Sequence, residues 1–337
     1  MQTKKVNINI VTWNSLIYIE NCLASIFKQT FRDFSVLVID NGSKDGTLEF
    51  IEKNYPEVKI LKNKKNLGYA KAHNQGLKIT GGEWLLIMNP DIILKEDYLE
   101  KMINFVQKKP EYQAITGKIK KFHFKGNDLN EIIFTDIIDN TGLAVKRNRN
   151  FYNRHENKKD HDVFNKPGPV FGVCGGLLFI NRSTLNKIKI GQEYFDEDFF
   201  VYKEDIDLAW RMNIKNKKSY YLPTALAYHH RQAKAPKDQS FKAVRKSRQA
   251  KSKVINYYST RNHLLMYLKN EYVSNFFKDF YYIVPRELKR FFYILFFEIK
   301  NIKAYFQFFK YFNKMLKKRE QVLKPKNIKS IREWLKK

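Results

Sequence analysis

Cysteine is scarce in this sequence, and its scarcity excludes two classes of protein. The 337 residues include only Cys22 and Cys174, and no CxxC pair occurs. A disulfide-stabilised scaffold and a cysteine-rich zinc module are therefore both excluded, and the composition fits a reducing compartment. Because 43% of the residues are hydrophobic, the chain can bury a sizeable core, which excludes a wholly disordered protein.

Long apolar runs are also absent. No stretch reaches the roughly 18 consecutive apolar residues that a membrane-spanning helix needs. The first residues lead straight into a strand-like segment rather than into the apolar region of a secretory signal. We therefore expect a cytoplasmic protein without a spanning helix.

Acidic residues are few in the last third of the chain. The whole chain has a formal net charge of +29, and residues 231–337 alone hold 28 basic and 7 acidic residues. Seventeen aromatic residues lie within 272–312. These patterns predict amphipathic helices at 272–300 and 304–318 that bind the anionic inner face of a membrane as a peripheral protein. Alternatively, the aromatic residues pack on the rest of the chain or on a second copy in a homo-oligomer.

Nucleic acid is a further candidate partner for so basic a chain. The sequence contains no RNP, KH or zinc-finger signature, so we expect no nucleic-acid partner, although a basic nucleic-acid-binding protein stays an alternative at this point.

Strand and helix patterns alternate through the first 120 residues. Strands are predicted at 6–12, 34–40, 58–61 and 83–88, and helices at 16–28, 46–53, 69–79 and 96–108. The alternation predicts an α/β fold with a mostly parallel sheet covered on both faces. We assign residues 1–230 to this domain, with the polar segment 118–166 as an insertion or mobile flap, and residues 231–337 to a helical, basic, aromatic-rich extension.

Polar residues follow three of the predicted strands. They are Thr12, Asn14, Asp40, Asn41, Asn89 and Asp91. Such residues are common in turns, but three polar strand ends at one edge of a parallel sheet favour a ligand site, because ligands bind beyond the carboxyl ends of the strands. No GxGxxG motif follows the first strand and no GxxxxGK[ST] motif occurs, which disfavours a nicotinamide-dependent enzyme and a P-loop enzyme.

Three further residues are candidates for catalysis or metal binding. Glu204 and Asp205 open a predicted helix at 203–213, where acids either compensate the helix dipole or supply a general base. Asp91 could hold Mg²⁺ or Mn²⁺ on a diphosphate, because both cations favour carboxylate and diphosphate oxygens. His229, after a strand-like run, is either a structural hydrogen-bonding residue or a metal ligand.

The motifs, taken in order, resemble a known family. They are the segments 12–14 (TWN), 38–47 (VIDNGSKDGT), 66–76 (NLGYAKAHNQG), 89–91 (NPD), 172–176 (GVCGG) and 204–208 (EDIDL), followed by His229. The set resembles the inverting family 2 glycosyltransferases, which have a GT-A fold, and is most similar to their rhamnosyltransferase-like branch. The resemblance covers roughly residues 6–265.

The resemblance implies a role for each candidate residue. Asp205 would be the catalytic base, and Glu204 would orient it or contact the acceptor. Asp91 and His229 would hold Mg²⁺ or Mn²⁺, with Asn89 replacing the first acid of a DxD-type element. The donor would be bound by Thr12, Asn14, Asp40, Asn41, Gly68, Asn74, Asn89, Gly175 and Gly176, among which Asp40 would contact the nucleotide base.

The resemblance also implies the substrates. The donor would be a nucleoside-diphosphate sugar, with dTDP-rhamnose favoured and a UDP- or GDP-sugar possible. The acceptor would be a hydroxyl of a glycan or of a lipid-linked sugar in cell-surface polysaccharide synthesis. An inactive transferase fold that serves as a binding module is a second alternative.

Overall fold

A computed structural model describes residues 4–126, 128–231, 241–323 and 331–335. The strands are β1 (Val6–Thr12), β2 (Phe34–Asp40), β3 (Lys59–Lys62), β4 (Trp84–Met88), β5 (Ile92–Leu94), β6 (Tyr112–Lys125), β7 (Asp128–Asn140), β8 (Leu143–Val145), β9 (Phe151–Asn153), β10 (Gly168–Val170), β11 (Leu177–Asn181) and β12 (Lys218–His229). The helices are α1 (Leu16–Phe27), α2 (Thr47–Asn54), α3 (Tyr69–Ile79), α4 (Tyr98–Lys108), α5 (Arg182–Ile188), α6 (Glu204–Ile214), α7 (Phe241–Ala250), α8 (Lys253–Asn270), α9 (Val273–Lys278), α10 (Phe280–Phe297) and α11 (Lys303–Val322).

One large sheet forms the centre of the protein, with strand order β10-β12-β6-β11-β4-β1-β2-β3. The strands within 6–88 pair in parallel, as the alternating pattern predicts. β11 lies antiparallel between β4 and β6. Strands β1 and β4 are almost wholly buried, because helices cover both faces of this part of the sheet. The predicted α/β fold is confirmed, as a mixed rather than a purely parallel sheet.

The segment 118–166 contains more regular structure than its polar composition predicts. Strand β6 pairs with β12 in the main sheet, and β7 folds back antiparallel on β6. The strands β8 and β9 form a separate two-stranded sheet. Sequence reasoning missed these strands because polar side chains are tolerated on a solvated face of an antiparallel pair, where little apolar alternation is required.

The C-terminal helices share a hydrophobic core with the sheet-bearing part of the chain. Trp210 on α6 lies in one cluster with Leu265 and Met266 of α8 and with Met315 and Val322 of α11. Buried ion pairs join the same elements. The apolar side of α8 and part of α11 are therefore packed against the sheet-bearing part of the chain, while other side chains of α10 and α11 are exposed.

Among the described residues, none of the helices has the length and apolar character needed to cross a membrane.

Candidate active site

The three polar strand ends meet at one edge of the sheet, as predicted. Thr12 at the end of β1 is in register with Asp40 at the end of β2. Met88 at the end of β4 pairs with Ile10 of β1, so Asn89 follows at the same edge. The parallel pairing of β1 with both neighbours brings these strand ends together.

Asp40 lies at the centre of a hydrogen-bonded turn. Its Oδ1 accepts from the hydroxyls of Thr12 (3.0 Å) and Ser43 (2.5 Å), and its Oδ2 accepts from the backbone N–H groups of Gly42 (3.0 Å) and Ser43 (2.9 Å). A carboxylate offers about four acceptor sites, so these bonds occupy them. Asp40 thus shapes the turn after β2. Its contact with a nucleotide base stays a prediction, and that contact would compete with bonds already made.

Asn14 and Asn41 connect this turn to neighbouring loops. Asn14 has a left-handed backbone, with φ of 51°, and its Oδ1 accepts from the N–H of Lys44 (2.8 Å). Nδ2 of Asn41 donates to the carbonyl of Gly68 at 3.4 Å. A Cβ at Gly68 would lie 2.4 Å from the Phe200 ring, so only glycine permits this close approach to the loop before α6.

Asn74 is wholly buried, and its side chain forms hydrogen bonds with a neighbouring loop. Its Oδ1 accepts from the N–H of Phe195 (2.9 Å), and its Nδ2 donates to the carbonyl of Phe195 (2.8 Å) and to Oε1 of Glu197 (3.1 Å). A contact between Asn74 and a nucleotide stays a prediction, and it would require these bonds to break. In the structure, Asn74 positions the 195–197 segment.

Asp91, His229, Asp139 and Arg231 form a charged chain. Oδ1 of Asp91 is 3.3 Å from Nε2 of His229, and Nδ1 of His229 is 2.9 Å from Oδ2 of Asp139. Nε of Arg231 is 2.6 Å from Oδ1 of Asp139. Burial would lower the pKa of His229, but Asp91 and Asp139 raise it to about 9. Burial opposes ionisation of Asp139, yet His229 and Arg231 lower its pKa to about 2.

Two of these residues fit a shared divalent cation, although no group of three or more His, Cys, Asp or Glu side chains within the described ranges is arranged to hold a metal. Oδ1 of Asp91 is buried and has no well-aligned hydrogen-bond partner among the residues that the structure describes. Its 3.3 Å separation from Nε2 of His229 is close to the roughly 3 Å between adjacent ligands of an octahedral Mg²⁺. Asp139 orients the imidazole from behind, as carboxylates do at many metal-binding histidines.

Gly175 and Gly176 connect Asp205 to these residues. The N–H of Gly175 donates to Oδ2 of Asp205 at 3.1 Å, and the carbonyl of Gly176 accepts from the N–H of Asn89 at 2.9 Å. A Cβ at Gly176 would lie 3.7 Å from Cε1 of His229. Two consecutive residues therefore link the predicted base to the predicted metal ligand.

Glu204 and Asp205 differ in their surroundings at the start of α6. Oδ1 of Asp205 accepts from the N–H of Ile206 at 2.8 Å. Glu204 is 7% exposed, and its Oε2 has no hydrogen-bond partner in the part of the chain that the structure describes. Burial and the negative charge of Asp205 raise the pKa of Glu204 to about 8. Near neutral pH, Glu204 is thus mostly protonated and can donate a hydrogen bond.

This raised pKa predicts a pH-dependent effect of Glu204→Gln. The folded-state pKa of about 8 exceeds the ordinary value of 4.5, so the stability contribution of Glu204 is fully present below about pH 4.5 and is lost as the pH rises to about 8. Glutamine has no charge to lose. We expect the variant to be more stable than the parent by on the order of 3 kcal/mol at pH 8.5, as measured by chemical denaturation.

The matched control for this prediction is Glu49→Gln. Glu49 also occupies the first turn of a helix, α2, but is exposed. Its replacement should change stability by less than about 0.5 kcal/mol at every pH. A stability gain of Glu204→Gln that stays the same between pH 5 and pH 8.5 would contradict the assignment.

Sequence reasoning missed three residues of this site. Asp139 lies on β7, in the polar 118–166 segment, where nothing in the sequence distinguishes it from other acidic residues. Arg231 directly follows His229 and His230. The hydroxyl of Tyr69 donates to the carbonyl of Gly175 at 2.6 Å. Arg231 could have been predicted from its position two residues after His229. Asp139 and Tyr69 could not, because they reach the site through hydrogen bonds to residues 90 and 106 positions away in the chain.

Comparison with known proteins identifies the family. A model described as Glycosyl transferase family 2 matches residues 8–188, which is more than half of the chain. The chain belongs to the family 2 glycosyltransferases. Asp91 and Asp139 of this glycosyltransferase lie within the matched residues. The other residues of the site, Glu204, Asp205, His229 and Arg231, follow them in the chain.

Characterised relatives are similar to this glycosyltransferase at modest identity. The N-acetylglucosaminyl-diphospho-decaprenol L-rhamnosyltransferase of Mycobacterium tuberculosis (strain ATCC 25618 / H37Rv) is 27% identical over 238 residues, which cover 66% of this chain and 74% of the relative. The poly-beta-1,6-N-acetyl-D-glucosamine synthase of Staphylococcus epidermidis is 23% identical over 230 residues, covering 67% of this chain but only 50% of the relative.

Solved structures confirm the GT-A fold of this glycosyltransferase. S. aureus TarS 1-349 superposes with a TM-score of 0.55 at 17% identity, covering 94% of this chain and 82% of that one. GalNAc-T7 with UDP, GalNAc and Mn²⁺ superposes with a TM-score of 0.55 at 16% identity, covering 78% of this chain and 51% of that one. At such identities the similarity shows the fold alone.

Proposed function

We propose that this glycosyltransferase moves a sugar from a nucleoside-diphosphate sugar to a hydroxyl of a glycan or lipid-linked acceptor, with inversion at the anomeric carbon. The observation that carries the proposal is the link made by Gly175 and Gly176, which join Asp205 to the Asn89 and His229 side of the site. The relatives' names, a rhamnosyltransferase of a diphospho-decaprenol and a polysaccharide synthase, support an acceptor in cell-surface polysaccharide synthesis.

Asp205 would act as the general base. Its carboxylate takes the proton from the acceptor hydroxyl, the hydroxyl oxygen forms a bond to the anomeric carbon, and the bond from that carbon to the diphosphate breaks. The N–H of Gly175 holds Oδ2 of Asp205 in place, and the protonated Glu204 beside it is available to donate to an acceptor oxygen. Proximity of the two substrates supplies much of the acceleration.

Asp91 and His229 are the residues that would hold Mg²⁺ or Mn²⁺, with the cation replacing the proton that the neighbouring carboxylates keep on the imidazole of His229. When bound, the cation would neutralise negative charge on the diphosphate leaving group. Asp139 holds the imidazole of His229 in a fixed orientation, and Arg231 in turn balances the charge of Asp139.

The nucleotide-sugar donor is tested directly by a thermal-shift panel of dTDP-rhamnose, UDP-sugars and GDP-sugars with Mn²⁺. A donor at about 100 times its dissociation constant adds about 2.7 kcal/mol of stability, which gives a clear shift. We expect dTDP-rhamnose to give the largest shift. A panel without any shift, together with no sugar transfer, would contradict the proposed function and favour an inactive binding module.

Asp91→Ala is expected to weaken metal-dependent donor binding by about 10- to 100-fold, because one of two proposed protein ligands is lost. Donor affinity is measured by calorimetry with Mn²⁺ and with a chelator. The parent should bind more tightly with Mn²⁺, and the variant should show little difference. An unchanged metal requirement in the variant would contradict the assignment of Asp91.

A basic side chain beside the base supports an acceptor that carries phosphate. Lys203 directly precedes Glu204, and burial together with the positive charge of Arg290 lowers its pKa to about 8, although the negative charge of Asp205 partly offsets this. Within the described residues, Lys203 forms no ion pair. An anionic group close to Lys203 would offset this unfavourable environment, and lipid-linked sugars commonly offer a diphosphate.

Exposed aromatic residues of α10 and α11 support attachment to the inner face of a membrane. They include Tyr281, Phe296, Phe306 and Phe309, at 85%, 72%, 69% and 70% exposure. Exposed lysines accompany them at 278, 289, 300, 303, 310 and 317. Aromatic rings with interspersed lysines suit the boundary between headgroups and acyl chains of an anionic bilayer.

The free thiols of Cys22 and Cys174 are compatible with a reducing compartment.

Membrane attachment is tested by flotation of the full chain with vesicles that contain anionic lipid. Removal of the C-terminal helices is unsuitable, because Met315 and Val322 belong to the core. Phe306→Glu combined with Phe309→Glu should reduce flotation at least severalfold, since charged residues do not enter the acyl region. Ile79→Glu is the control, because Ile79 is 63% exposed on α3 and should float like the parent. Equal flotation of all three proteins would contradict membrane binding through this surface.

A further inference from the structure

The backbone immediately before α6 has a conformation that residues with side chains rarely adopt. Phe200, Tyr202 and Lys203 have φ angles of 62°, 70° and 74°. At Phe200 the ψ angle is −65°, and the N–H of Val201 donates to the carbonyl of Phe199 at 2.7 Å. This is the rarer and more strained of the two γ-turn forms. Strained residues of this kind persist only when their surroundings hold them.

Asn262 on α8 holds this loop by its side chain. Its Nδ2 donates to the carbonyls of Phe199 (2.7 Å), Val201 (2.9 Å) and Tyr202 (2.8 Å). Its Oδ1 accepts from Nε of Arg261 at 3.0 Å. Asn262 is wholly buried, so water does not compete for these bonds. A primary amide has two N–H hydrogens, so the three carbonyls share two donors.

The remaining carbonyls of the loop are also bonded. The Arg261 guanidinium donates to the carbonyls of Asp198 and Phe199. The carbonyl of Phe200 accepts from the N–H of Ala70 on α3 at 3.2 Å. Every carbonyl from 198 to 202 therefore has a donor, and four of the five are bonded by the Arg261–Asn262 pair. The loop conformation depends mainly on α8 rather than on the loop's own residues.

We propose that Asn262 is a positioning residue for sugar transfer, because it holds the 199–203 loop in the strained conformation that places Glu204 and Asp205 at the start of α6. This inference rests on the proposed role of Asp205 as the base. It gives the basic C-terminal portion a part in catalysis that is separate from membrane binding. The loop leads directly into the two acids, since α6 begins at Glu204, the residue that follows Lys203.

The test compares Asn262→Ala and Asn262→Asp in the full chain. Aspartate has the shape of asparagine but presents acceptors to three carbonyls, so both variants should release the loop. We expect kcat to fall by about 10- to 100-fold, because small misplacements of a catalytic group cost rate steeply. The affinity for UDP or dTDP, measured by calorimetry, should change much less than kcat, since Thr12 and Asp40 bond to each other and to the turn after β2 rather than to this loop.

Asn256→Ala is the matched control. Asn256 is also a buried asparagine of α8, but its Nδ2 donates to the carbonyl of Arg248 (2.8 Å) and not to the loop. The control should lower the unfolding temperature and leave kcat within about twofold of the parent. If Asn262→Ala is too unstable to assay, Asn262→Ser, which retains one donor, takes its place with a smaller fall in kcat.

The outcomes separate the two proposals. Normal kcat in the Asn262 variants, with Asp205→Asn inactive, would overturn the positioning role and leave the proposed function intact. Equal falls in kcat for Asn262→Ala and Asn256→Ala would also overturn it, because general loosening of α8 would explain both. Full turnover in Asp205→Asn would instead refute the proposed function.

Discussion

Asp205→Asn is expected to lower kcat for sugar transfer by about 10²- to 10⁴-fold, because an amide cannot take the proton of the acceptor hydroxyl. Asparagine has the shape of aspartate, and its single oxygen can keep one of the two backbone bonds that Asp205 accepts, from Gly175 (3.1 Å) or from Ile206 (2.8 Å). The loss of one such bond is small beside the expected loss of rate, so the start of α6 should stay folded. Donor affinity, measured by calorimetry, should change little while steady-state transfer is nearly lost.

Asp97→Asn is the control for this substitution. Asp97 precedes α4 and forms an exposed ion pair with Lys101 at 2.6 Å, so its loss should leave kcat unaltered, because exposed pairs contribute about 0–1 kcal/mol. Near-normal turnover in Asp205→Asn would remove Asp205 from the role of base. Loss of donor binding along with turnover would indicate that the substitution damages the site rather than the proton transfer.

Lys269→Ala is expected to destabilise the whole protein by about 2–3 kcal/mol, because it removes one of the two cations beside each of two buried carboxylates and leaves only Lys318 and Arg211 to balance them. Lys269 is fully buried on α8, its Nζ contacts Asp196, and it lies 2.8 Å from Oδ1 of Asp207 on α6. At about 2–4 °C per kcal/mol, the unfolding temperature should fall by roughly 4–12 °C. Calorimetry or circular dichroism measures this fall.

Lys253→Ala provides the comparison on the same helix. Lys253 is exposed at the first position of α8, and its replacement should change stability by less than about 0.5 kcal/mol. If the unfolding temperature of Lys269→Ala lies within about two degrees of that of the parent, the buried ion pairs between α8 and α6 do not contribute to stability. A large fall would show that the C-terminal helices and the catalytic portion unfold together, because the deleted contact connects them.

The alternation of strands and helices could be predicted from the sequence because buried parallel strands appear as short apolar runs. Strands β1 and β2 have the bounds that the sequence predicts, and so does helix α3. The polar strand ends were readable for the same reason, since parallel strands end at one edge. The antiparallel strand β11 was not readable, because an apolar run indicates a strand but not its direction.

Side-chain hydrogen bonds account for most of what sequence reasoning missed. Asp40 and Asn74 were predicted to face the donor, but each has its polar atoms engaged by neighbouring backbone. Whether a polar side chain serves a ligand or its own loop depends on distances of a few tenths of an ångström. Local sequence does not encode these distances, so the donor contacts of both residues remain predictions.

By itself, the sequence determined that the protein has an α/β sheet, where its polar strand ends lie, and that its last third is basic and aromatic, because periodicity and composition are local properties. The tertiary structure decided that Asp139 stands behind His229, that two glycines join Asp205 to that pair, and that Asn262 holds the strained loop. These contacts join residues about 30 to 90 positions apart in the chain. Such pairings arise only when strands and helices pack, which is why they could not be read in advance.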